Sequence, residues 1–211
     1  MKTSIIGYPR VGSLRELKFT TEKYFRGEIS AEELQNTAKE IRKTQWILQK
    51  NTGLDFIPSN DFSFYDMTLD TAVLFNIIPE RYTKLGLSAL DTYFAMARGY
   101  QGAAGDVKAL AMKKWFNTNY HYMVPEIDDN TEINLPEPTP LTSCRGKSPW
   151  HYHKPVIIGA FTLLKLLRYV GKKQATDYAD AVSVHTQGCL RSLLQPAQNG
   201  YSLTNHIWCM I

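Results

Sequence analysis

The chain has 211 residues, 44% of them hydrophobic and 21% charged, with a formal net charge of +4. These proportions suit a globular protein and exclude a wholly disordered or fibrous one. The basic excess is mild and gathers into no stripe, so nucleic acid is not an expected partner.

From the N-terminus, Thr3-Ser4-Ile5-Ile6-Gly7 predicts a short buried strand closing into a Gly/Pro loop, with a helix to follow. This start lacks the apolar run of a signal peptide. Ser30-Ala31-Glu32-Glu33 is a capping box opening a helix whose apolar face carries Leu34, Ala38, Ile41 and Leu48 and which Thr52-Gly53 stops. Leu54 to Pro58 predicts a second strand, and Asp66 to Phe75 a short helix ended by Pro79. Ser88 caps a further helix bearing Leu90, Tyr93, Phe94 and Ala97, which Gly99 terminates. The glycines of Gly99 to Gly105 read as a flexible loop, and the aromatic run Lys114 to Tyr122 as a third strand. Residues 125–154 form a loop or linker, since Pro125 to Pro155 holds six of the ten prolines and no apolar periodicity. Pro155 to Phe161 is a fourth strand, continuously apolar as in a parallel sheet covered on both faces.

This alternation predicts an α/β protein with parallel strands, and a doubly wound sheet and a (β/α)8 barrel both satisfy it. The longest apolar stretch, Val156 to Leu167, is broken by Lys165 and is shorter than the ~20 residues that span a bilayer. No membrane partner is expected. Cys144, Cys189 and Cys209 form neither a disulfide framework nor a zinc ribbon, which fits a cytoplasmic location.

Three polar clusters lie at the predicted strand ends. In Tyr8 to Lys18, Arg10, Arg15 and Lys18 place three cations where parallel α/β folds build their sites, suited to a ligand with several carboxylates or phosphates. A solvated charged turn is the alternative. Ser59 to Asp66 could orient a polar ligand against an aromatic wall, or be ordinary Asn/Asp turn chemistry. On a strand, Asn117, Asn119 and His121 would share one side with Lys114 at the start, forming either a site or a satisfied polar network.

Tyr8-Pro9-Arg10-Val11-Gly12 through Arg15-Glu16-Leu17-Lys18, then Ser59 to Asp66, then Lys114 to Glu126, together resemble the N-terminal domain of cobalamin-independent methionine synthase. The likeness runs from Met1 to about Leu135 and resumes from Lys154 to about Val182. The resemblance implies methyl transfer from 5-methyltetrahydropteroyltriglutamate to homocysteine, on two packed (β/α)8 barrels. It implies that Arg15, Glu16, Leu17, Lys18 and Lys114 line the folate site. A triglutamate tail carries several carboxylates, which Arg and Lys partner. It also implies a zinc ion that binds homocysteine in the family's C-terminal barrel.

The departures set further expectations. Four strands in 211 residues amount to about half of the first barrel, which typically needs ~250. The expected fold is therefore a partial (β/α)8 barrel, an incomplete N-terminal domain with no zinc or other cofactor of its own. Such a chain is expected to be inactive alone, with a separate C-terminal catalytic domain as a conceivable partner. His151, His153, Cys189, His206 and Cys209 are not expected to replace the zinc ligands. Leu141 to His153 and about Thr186 to Trp208 do not match the family, as a frame slip would explain, so 183–211 is expected to be a divergent tail. The alternative is a non-enzymatic anion-binding or interaction module built on half a barrel.

Overall fold

A computed structural model describes residues 2–135, 152–194 and 208–210. The chain divides into two compact units, one of Met1–Phe64 with Gly146–Val156 and the other of Tyr65–Arg145 with Ile157–Ile211.

In the first unit, helix α1 (Glu16–Phe25) packs on α2 (Ala31–Asn51). The capping box forms as expected: Ser30 Oγ accepts from the Glu33 N–H at 3.2 Å, and the Glu33 carboxylate accepts from the Ser30 N–H at 2.7 Å. Leu34, Ala38 and Ile41 are buried, but Leu48 is 47% exposed. Its spacing is correct, yet α1 is half the length of α2 and packs on it near Ala38 and Ile41, two turns short of Leu48. Strand β1 (Phe56–Ser59) is buried throughout and pairs in parallel with β7 (Tyr152–Ile158), from Phe56↔Tyr152 to Ser59↔Pro155. The strand expected at Thr3–Gly7 reduces to one parallel bridge, Ser4↔Phe56. Ile6 is already exposed, and the chain turns away through Gly7 and Pro9.

The second unit opens with α3 (Met67–Leu74), α4 (Glu80–Thr83) and α5 (Ala89–Arg98), with Asp66 capping α3 and Ser88 capping α5. Gly99 ends α5 at φ +80°, where a Cβ would lie 2.9 Å from the Val107 carbonyl oxygen, so only glycine fits. The expected flexible loop instead forms a hairpin of β2 (Tyr100–Gly102) with β3 (Gly105–Val107).

The third predicted strand is not a strand. Met112–Lys114 (β4) and His121–Met123 (β5) pair antiparallel, and Trp115 to Tyr120 make the turn between them. Within that turn the Trp115 carbonyl accepts from both the Thr118 N–H and the Thr118 hydroxyl, local bonding that competes with an extended ladder. The expected linker also contains structure, because β6 (Glu126–Asp128) pairs in parallel with β8 (Arg168–Val170). The fourth predicted strand ends at Ile158. Gly159 begins α6 (Ala160–Leu166), on which Phe161 is exposed.

Helix α7 (Ala175–Leu194) runs on past Val182 into the stretch 183–211 read as a divergent tail. Tyr178, Val182 and Cys189 join Ile127, Ile158 and Leu163 in the core of this unit. Trp208–Met210 form β9. Most of the two segments suspected of frame slippage, 141–151 and 195–207, lies outside the described residues. The protein is thus a mixed α/β chain, and its described strands close no barrel.

Candidate functional site

The loop from Gly7 to Arg15 is held at four points within the first unit. The Tyr8 N–H donates to Asp61 Oδ2 at 3.0 Å, and Gln45 Nε2 donates to the Pro9 carbonyl at 2.8 Å. The Leu17 N–H donates to the Val11 carbonyl at 3.1 Å, and the Arg15 N–H to the Gly12 carbonyl at 3.3 Å. Gly12 lies at φ +83°, and a Cβ there would collide with Glu16 Oε2. That carboxylate accepts from the Leu14 N–H at 3.0 Å, and its other oxygen from the Ser13 hydroxyl at 3.3 Å. Backbone donors, its own N–H foremost, hold the Glu16 carboxyl below its usual range.

Arg15 stands just before α1 with its backbone at φ 62°, a left-handed conformation uncommon for a residue with a side chain. Its side chain is exposed and has no ion-pair partner among the described residues. Lys18, three residues on, is also exposed and lies 3.8 Å from the Glu22 carboxylate. Leu17 points inward instead. It is 4% exposed and packs with Ala38 and Ile41, with Phe62 and Phe64 beside them. The four residues therefore divide their work: Leu17 anchors, Glu16 shapes the loop, and Arg15 and Lys18 present charge.

At the C-terminal ends of β1 and β7, Asn60 adopts φ 60° and its Nδ2 donates to the Val156 carbonyl at 2.9 Å. Burial pushes the Asp61 carboxyl above its usual range, with the Tyr8 N–H and then Arg42 acting the other way. The sequence singled out Asp61 within a cluster but carried no sign that it would grip Tyr8. Gln45 was missed, because a glutamine on a helix flank has no signature of its own.

Lys114 belongs to the second unit. It is the exposed last residue of β4, opposite His121. Asn117, Asn119 and His121 do not form the one-sided row expected of a strand, since the first two lie in the turn and all three are exposed. Below the hairpin, Asp66 is 2% exposed and accepts from the Tyr120 hydroxyl at 2.9 Å, the Leu69 N–H at 3.1 Å and the Met123 N–H at 3.2 Å. Burial pushes its carboxyl up as well, and these donors oppose the shift. A cavity lined by Val73, Ile78, Leu87, Thr92, Tyr93 and Met96 carries no charged side chain.

Among the described residues, no three His, Cys, Asp or Glu side chains are grouped to hold a metal ion. Cys189 is a poor zinc ligand, because it sits in the apolar core and burial pushes its thiol up to about 11. His151 and His206 lie outside the described residues, as do the side chains of His153 and Cys209. No helix among the described residues is long and apolar enough to cross a membrane.

Residues 2–198 match the family described as "Cobalamin-independent synthase, N-terminal domain". Three similar proteins are each named 5-methyltetrahydropteroyltriglutamate–homocysteine methyltransferase. The one from Campylobacter jejuni subsp. doylei is 58% identical over 174 residues, 82% of this chain and 23% of the relative. The one from Streptococcus sanguinis is 49% identical over 196 residues, 92% of this chain and 26% of the relative. The Streptococcus suis protein is 53% identical over 183 residues, 86% and 24% respectively. The chain spans about a quarter of the length of these relatives.

Proposed function

The chain belongs to the cobalamin-independent synthase family, and on that premise we propose that it binds the glutamate tail of 5-methyltetrahydropteroyltriglutamate for methyl transfer to homocysteine. The observation that carries this reading is the division of labour in Arg15 to Lys18. A loop held at Tyr8, Pro9, Val11 and Gly12 presents Arg15 and Lys18 outward, one turn apart, while Leu17 is buried beneath them. Arg offers a planar fork matched to carboxylate, and Lys a mobile point charge, so together they suit a flexible polyanion.

The parallel β1–β7 pair supports reading the first unit as part of a (β/α)8 barrel, whose sites lie at the C-terminal ends of its strands. Lys114 is assigned to the tail by the resemblance, and its contribution is tested on its own. These residues hold the folate tail, and methyl transfer to homocysteine takes the whole length of the relatives, of which they span about a quarter.

Calorimetric titration with the mono- and triglutamate forms of 5-methyltetrahydrofolate tests the reading. The triglutamate binds more tightly, and Arg15→Ala and Lys18→Ala each reduce that preference about two- to fivefold, the range of an exposed charge pair. The preference shrinks with added salt, because the Debye length falls from about 10 Å at 0.1 M to about 3 Å at 1 M. Equal affinity for the two tails overturns the assignment.

A further inference from the structure

We propose that Asp66 and Tyr120 are positioning residues that set the place of Lys114, a role that rests on the reading of Lys114 as a ligand for the glutamate tail. Lys114 ends β4 beside a turn whose internal bonds are short-range, Thr118 to Trp115 and Tyr120 to Thr118, while Trp115 packs against Tyr122. Residues 116–121 are all exposed, and Phe116 holds φ 48°. Tyr120 closes this turn, its carbonyl accepting from the Trp115 N–H, next to Lys114, at 2.7 Å.

Tyr120 is 47% exposed, so apolar burial alone does not select one rotamer for it. Its hydroxyl nevertheless turns back to the buried Asp66 Oδ1 at 2.9 Å. Asp66 Oδ2 accepts from Met123, on the far strand of the hairpin, and from Leu69, in the first turn of α3. The Tyr93 hydroxyl in turn accepts from the Asp66 N–H at 3.3 Å and the Tyr65 N–H at 3.0 Å. One buried carboxylate thus ties the hairpin, through Tyr120 and Met123, to the N-terminus of α3. Hydrogen bonds to a charged acceptor are stronger than neutral ones, which suits a tie that orders an exposed turn.

The test is a double-mutant cycle in the full chain between Lys114→Ala and Tyr120→Phe, which removes only the hydroxyl. Triglutamate affinity and hydrogen exchange at the Trp115 amide are the readouts. Lys114→Ala weakens binding about threefold in the parent chain and less than 1.5-fold beside Tyr120→Phe, a coupling expected only of groups that act together. Tyr120→Phe also speeds exchange at Trp115. Asp66→Asn, which leaves an amide in place of two acceptor oxygens, gives the same pattern. An equal cost of Lys114→Ala in both backgrounds, or unchanged exchange at Trp115, overturns the positioning role. Faster exchange with no effect of Lys114→Ala on the parent chain overturns the ligand reading of Lys114 instead.

Discussion

Replacing Leu17 with alanine tests whether a single anchor holds the cationic turn of α1 in place. Leu17 is the one buried residue of that helix, packed on Ala38 and Ile41 with Phe62 and Phe64 at the margin. Burying a leucine side chain stabilises by about 1.5–3 kcal/mol, and the cavity left by Leu→Ala brings the usual loss to 2–5 kcal/mol. This cluster has few members, and its two phenylalanines are partly exposed and can move inward, so the low end applies. We expect a loss of about 2–3 kcal/mol in urea unfolding, read as a lower midpoint at unchanged slope. Hydrogen exchange should place the loss in α1, and triglutamate affinity should fall although no charge has been removed. A loss below about 1 kcal/mol, or unaltered protection of α1, would show that the loop contacts alone hold the turn.

Gly12→Ala forces a side chain into a left-handed position at a cost of about 1–2 kcal/mol, and its Cβ displaces the Glu16 carboxylate from Leu14 and Ser13. The triglutamate preference therefore drops while the melting temperature falls by only about 2–8 °C, and an unchanged preference would count against the loop's role. Asp66 holds its proton more tightly in the folded chain than the ordinary aspartate value of 3.8. The parent chain should therefore gain stability relative to Asp66→Asn as pH falls from neutral, with the gain complete below 3.8. Parallel stability curves for the two chains would refute this. Finally, the purified 211 residues alone, supplied with methylfolate triglutamate, homocysteine and zinc, should form no methionine in a product assay, because they span about a quarter of the relatives, and formation would refute the reading that methyl transfer takes the rest of that length.

The elements that could be read from sequence are those whose cause is local. Ser30, Asp66 and Ser88 each cap a helix with a side chain only three residues from the donor it satisfies, and all three helices start where expected. The aromatic run at Lys114–Tyr122 misled because β-forming residues occur equally in a hairpin and in a single strand, and only the pairing of Met112 with Met123 distinguishes them. The parallel pairing of Glu126 with Arg168 spans a prolyl segment and a distant partner, so nothing near Pro125 announces it. At the site, the cations of Arg15 and Lys18 were visible as charge. The grip of Asp61 on Tyr8 and of Gln45 on Pro9 was not, because both join residues far apart in the chain.

The strained backbone at Arg15 connects these two kinds of information. A non-glycine residue in the left-handed region persists only where its surroundings determine it more strongly than its own preference does. Here they do so from both sides: the Val11 and Gly12 carbonyls accept the Leu17 and Arg15 N–H groups, while Leu17 is locked in the core directly after the turn. An arginine in an ordinary first turn of α1 would project from a different angle relative to Lys18. The φ of 62° is therefore what relates the two cations in space, and Gly12, Glu16 and Leu17 decide where those charges stand. A charge-preserving Arg15→Lys change keeps the cation but loses the fork, whereas Gly12→Ala keeps the fork and loses its direction. If direction matters, the second change harms the triglutamate preference at least as much as the first, and if only charge matters, it harms it less.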